Sequence, residues 1–113
     1  MRRTLLGSPS VPVVSAAVAA SGGYDLTLTF NVPMDTSVVL DSSDWLIVGS
    51  DFGPIPPAGV SWLPGNLQLE IQSVEVFNLD EDWTFNYSQG LAPVKSAAGI
   101  ELASFNDKPV DVT

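Results

Sequence analysis

The sequence predicts an all-β fold: an antiparallel β-sandwich of about seven strands behind an extended N-terminal arm. Three observations predict it. Tyr24, Leu26, Leu28 and Phe30 alternate with Asp25, Thr27 and Thr29, the period of a strand with one buried face. Leu67, Leu69 and Ile71 alternate with Gln68, Glu70 and Gln72, and Trp83, Phe85 and Tyr87 with Thr84, Asn86 and Ser88. Nine Gly and nine Pro are spread along the chain, which suits many short strands joined by turns.

The elements follow in order. Residues 1–10 carry no strand pattern and read as an arm; residues 11–113 form the sandwich domain. Val11 to Ala20 is rich in Val and Ala and forms a first strand. Pro12 cannot donate to a ladder, which predicts a sheet edge. Ser21-Gly22-Gly23 turns the chain into the strand that ends at Phe30. Pro33 biases Val32 toward an extended conformation, so Asn31 to Asp35 leads away from the first sheet. Asp35 to Asp44 is a connection with one helical turn.

Trp45 to Val48 is a short apolar strand, and Asp51 to Gly59, with three Pro and two Gly, is an irregular loop. Val60 to Leu63 is another short strand. Pro64-Gly65-Asn66 is a tight turn before the Leu67–Gln72 strand. Ser73 to Asp82 connects, with Val74, Val76, Phe77 and Leu79 tucked inward. Gln89 to Gly99 is a turn region broken at Pro93. Ile100 to Thr113 supplies the last strand or two, with Ile100, Leu102, Phe105, Val110 and Val112 facing inward.

The chain of 113 residues suits one domain. It contains no Cys and no His. A disulfide scaffold and a thiolate metal site are excluded, and so is histidine as base or ligand. The net charge is −9, with Arg2 and Arg3 supplying half of the four basic residues. Such a body repels phosphates and argues against nucleic-acid binding. No apolar run approaches the roughly 20 residues of a membrane span. The N-terminus superficially resembles a signal peptide, but Gly7, Pro9 and Pro12 interrupt the apolar stretch. It is read as an arm without a secretion signal.

Several phrases carry a resemblance. "LTLTFNVPMD", "NLQLEI", "WTFNYSQ" and "VKSAAGIELASF" resemble, in family order, the strands and turns of bacterial Ig-like domains, the repeated modules of adhesins and secreted proteins. Ser96 and Ile100 depart from the Asp and Asn frequent in the family's last turn. The resemblance implies an Ig-like sandwich, a fold that displays function without specifying it. A solitary copy without a secretion signal looks like a virion component of tailed bacteriophages. The expectation is therefore a non-enzymatic capsid decoration or cement protein on the virion surface, bound to the major capsid protein or other virion proteins and able to form homo-oligomers. The alternatives are an adhesin-type module at the bacterial cell surface, binding carbohydrate or protein, and a phage tail component.

The site residues follow from chemistry. Arg2 and Arg3 can pair with carboxylates, and Leu5 and Leu6 can enter an apolar groove; alternatively the arm folds back on its own acidic body. Phe52 and Ile55, in the Pro-stiffened loop "DFGPIPPAGVSW", either cap the sandwich or form a contact loop. Trp62 is either core or a partner's anchor. Asp80-Glu81-Asp82 is read as a solvated turn, and no catalytic residue, metal ligand or cofactor is assigned.

Overall fold

The computed structural model describes residues 11–113, and the expected arm lies outside that range. Nine strands form among the described residues: β1 (Val14–Ala19), β2 (Asp25–Phe30), β3 (Trp45–Gly49), β4 (Gly53–Ile55), β5 (Gly59–Trp62), β6 (Gln68–Gln72), β7 (Trp83–Tyr87), β8 (Phe105–Pro109) and β9 (Asp111–Val112). They build two sheets, ordered β5-β6-β2-β1-β9 and β4-β3-β7-β8. The pairings are antiparallel except β1 with β9, which is parallel. The all-β sandwich expected from the sequence is the fold.

The alternation acts as predicted. Leu26, Leu28, Leu69 and Ile71 face inward from one sheet, and Trp45, Ile47, Phe85 and Tyr87 from the other; all are buried. Each such side chain contributes roughly 1.5–3 kcal/mol by leaving water. One pole is plugged by Phe77, whose backbone bonds to Gly22 and Gly23 in the β1–β2 turn. Buried Met34, Val94 and Leu102 fill the opposite pole, where Met34 bridges to Ser96 and bonds to Asn66 O at 2.8 Å.

The phrase after β2 does more than turn the chain. Asn31 Oδ1 accepts from Val13 N at 2.6 Å, and Asn31 Nδ2 donates to Val11 O at 3.1 Å. This side chain pins the entry to β1. Ala97 N then bonds to Pro33 O, and Asp35 N to Lys95 O, both at 3.0 Å. The segment thus ties the first sheet to the long connection before β8.

Several expectations are corrected. There are nine strands rather than about seven, because β4 and β9 are too short to show a period. β4 lies within the stretch expected to be an irregular loop. Tyr24 lies just before β2 begins and is exposed, as are Val74 and Leu79 beyond β6; of the four apolar residues expected inward there only Phe77 is fully buried. β1 is an edge only in part: β9 lies beside Val18 and Ala19, while no described strand lies outside Val14–Ala17.

Two aromatic residues show how polar atoms are handled inside. Tyr87 packs on Trp45 with ring centroids 4.6 Å apart, and its hydroxyl accepts from buried Val94 N at 2.9 Å. Trp45 Nε1 has no acceptor among the described residues. An unpaired buried donor costs about 1–3 kcal/mol, which the ring's packing offsets.

Burial pushes the Tyr87 phenol above its usual value of 10.0, although the bond from Val94 pulls the other way. The folded state therefore holds this proton more tightly than the unfolded chain. Its contribution is complete below about pH 10 and is lost as pH rises through the folded value. Tyr87→Phe is expected to cost about 1–3 kcal/mol at neutral pH by leaving Val94 N–H unpaired. Urea unfolding at pH 7 to 11 should show a steeper alkaline loss in the parent than in the variant.

Candidate functional site

A partner can reach the two poles and the lateral edges of this sandwich. The pole bearing the β1–β2, β3–β4 and β6–β7 connections exposes Tyr24, Phe52, Val74 and Leu79. Asp51 and Phe52 form the tip of the β3–β4 hairpin, closed by Gly53 at φ 79°. Glu81 holds this tip from the side: its Oε2 accepts from Asp51 N and Phe52 N, both at 2.8 Å. Gly49 makes room for it, because a Cβ there would collide with Glu81 Oε2 and approach the Trp83 ring. The Phe52 ring stacks on Trp83 at 5.8 Å and 24°, yet remains 52% exposed. Exposed Tyr24, Val74 and Leu79 lie on the loops of the same pole.

Glu81 corrects the reading of Asp80-Glu81-Asp82 as a solvated turn. It is buried and serves the hairpin backbone, while Asp80 is exposed. Among the described residues no three Asp or Glu side chains gather closely enough to hold a metal ion.

The expected contact residues separate. Ile55 is buried in β4 opposite Ile47 and belongs to the core, so it is unavailable to a partner. Phe52 presents one face to solvent. Trp62 is half-buried: its Nε1 donates to Val38 O at 3.2 Å, and its ring tilts against Phe30 at 6.3 Å. It borders a shallow groove of about 520 Å³ with Thr36, Pro64 and Asn66, so it offers a partner an edge rather than a free face. Arg2, Arg3, Leu5 and Leu6 lie outside the described residues.

The opposite pole carries exposed Val39 and Leu91 among acids. Asp35 and Asp41 each accept from the hydroxyl and backbone N–H of the serine two residues on, Ser37 and Ser43. These bonds, the hydroxyl's foremost, hold both carboxyls below the usual range. Burial raises Asp44 instead, and the nearby Asp41 charge adds to the effect. Lys95 Nζ lies 4.0 Å from Asp35. These acids shape their own turns.

The lateral side offers a feature that the sequence marked only through Pro12. Beyond β9 no strand among the described residues lies along the outer edge of β1 over Val14–Ala17. Lys108 to Asp111 runs past it, leaving a groove of about 530 Å³ lined by Val14, Ala17, Val18 and Val110. Lys108 is drawn toward the Phe105 ring, 5.2 Å from its centroid.

No family model matches the chain, and no curated protein matches it. Three solved structures share its fold. Domains 1–6 of surface layer protein SbsC match with a TM-score of 0.72 and 17% identity, over 89% of this chain and 13% of that one. A crystal structure of the S-layer protein rSbsC matches at 0.71 and 16%, over 90% and 14%. The N-terminal part of the bacterial S-layer protein SbsC matches at 0.69 and 16%, over 90% and 24%. The chain thus spans less than a quarter of each of these proteins.

These neighbours overturn the expectation of a phage capsid decoration protein on the virion, bound to a major capsid protein: all three belong to a bacterial surface layer. The expectation had rested on the solitary copy and the absence of a secretion signal, neither of which is a property of the fold. The matches favour the alternative, the bacterial cell surface.

Glu81→Ala removes the acceptor of two backbone donors at the Phe52 hairpin. It is expected to lower stability by about 1.5–3 kcal/mol, read as a lower urea midpoint. Glu81→Gln, which keeps one acceptor oxygen, should lose less.

Proposed function

We propose that this chain is a non-enzymatic structural module of a bacterial cell-surface protein, of the bacterial Ig-like type. The observation that carries the reading is the match of 89% of the chain to one segment of a multi-domain surface layer protein. The four phrases that resemble bacterial Ig-like domains support it independently. So does the placement of the described ends. Val11 and Val13 bond to Asn31 at the far end of β2, while Thr113 N bonds to Ala19 O and Thr113 O accepts from Ser21 N, beside the β1–β2 turn. Entry and exit at opposite poles suit a module that passes force or position along a string.

The polar chemistry fits the same role. The acids at both poles are engaged with their own turns or with solvent, and both poles expose apolar side chains, Phe52, Tyr24 and Leu79 at one and Val39 and Leu91 at the other, where neighbouring protein surfaces can pack. Phe52 in particular keeps the contact role given to it by an adhesin-type module that recognises protein.

Antibody labelling of intact producing cells tests the reading. Labelling before lysis, lost after brief external protease treatment, is the expected result. Labelling only after lysis contradicts it.

A further inference from the structure

We infer that the open edge of β1 is a strand-acceptor site for the N-terminal segment of a second copy of this chain, residues 2–7 running antiparallel to β1 along Val14–Ala17. The inference does not depend on cell-surface location.

The acceptor is built from two observations. β1 has β2 on one side over its whole length, but β9 beside it only at Val18 and Ala19. From Val14 to Ala17 its outward backbone groups have no strand beside them among the described residues. Such an edge is a template for an added strand, with main-chain bonds giving affinity and side-chain pockets giving selectivity. Next to this edge lies the groove of about 530 Å³, with an apolar floor from Val14, Ala17 and Val110.

The occupant follows from charge and length. Residues 11–113 hold all thirteen acids and only two of the four basic residues; the other two are Arg2 and Arg3. "RRTLLG" is long enough to span the four open residues and reach past them toward Asp111, and adjacent Leu5 and Leu6 guarantee one leucine facing the groove in either register. Direction is set by the groove's own charges. Asp111 pairs with Val18, at the closed end, and Lys108 precedes it toward the Val14 end. An antiparallel segment brings Arg2 and Arg3 to Asp111 and keeps them from Lys108; a parallel one does the reverse.

Asn31 pins Val11 and Val13 in line with β1; a segment supplied by a second copy carries no such tether to this edge.

Sedimentation equilibrium of the full chain over a wide concentration range tests the inference. Concentration-dependent association is expected, and Leu5→Asp/Leu6→Asp should abolish it while the far-UV spectrum stays that of a folded sandwich. Asp111→Arg should weaken association about fivefold, the effect of losing one exposed ion pair. Adding Arg2→Asp/Arg3→Asp to that variant should restore it in part. A monomer at every concentration overturns the inference, because the segment then docks in its own groove or not at all. Association unchanged by Leu5→Asp/Leu6→Asp overturns it as well, since another surface then joins the copies.

Discussion

The architecture depends on how the chain changes sheets at Pro109 and Val110. β8 is the edge strand of one sheet, and two residues later β9 is hydrogen-bonded to β1 in the other. Val110 N still bonds to Trp83 O in the first sheet, while Thr113 N bonds to Ala19 O in the second. One short crossing therefore ties the two sheets together along one side. Pro109 ends the ladder there because it has no N–H to donate. The same crossing is too short to cover β1. It closes the sandwich at Val18 and Ala19 and leaves Val14–Ala17 without a strand beside them among the described residues.

With no disulfide, the rest is held by burial and by a few side chains that satisfy backbone groups at the poles. Asn31 ties the entry of β1 to β2, Glu81 ties β7's approach to the β3 hairpin, and the Tyr87 hydroxyl holds Val94. Asn31 and Glu81 join segments distant in sequence and Tyr87 holds the chain that follows its own strand, and each answers donors that the sheets cannot reach. A bulge between Val14 and Ala16, with Ser15 Oγ donating to Thr29 O at 3.1 Å, shapes the open edge itself. Bulges interrupt regular pairing, so the accepting segment is short and its choice of partner correspondingly narrow.

The sheets were legible in the sequence where one face is wet. Leu26-Leu28-Phe30, Leu69-Ile71 and Trp83-Phe85-Tyr87 alternate because every second residue meets solvent. β4 was hidden because Gly53-Pro54-Ile55 has the composition of a loop and pairs only through the β3 hairpin. Val74 and Leu79 misled because hydrophobicity in a connection does not say which residues point inward; Phe77 won that position through its backbone bonds to the β1–β2 turn. Ile55 misled for the converse reason, lying among prolines yet paired with Ile47. Glu81 was unreadable, since its role needs the space left by Gly49, far away in sequence. Pro12 did announce an edge, but only the structure shows that the edge is half covered.

Whether β1 carries an accepting edge is read by amide hydrogen exchange of the full chain, followed residue by residue at low and at high protein concentration. The amides of Val14–Ala17 not bonded to β2 are expected to exchange fast in dilute solution and to become protected on concentration, while β2 and β6 are protected throughout. Equal protection of those β1 amides at both concentrations would rule the accepting edge out.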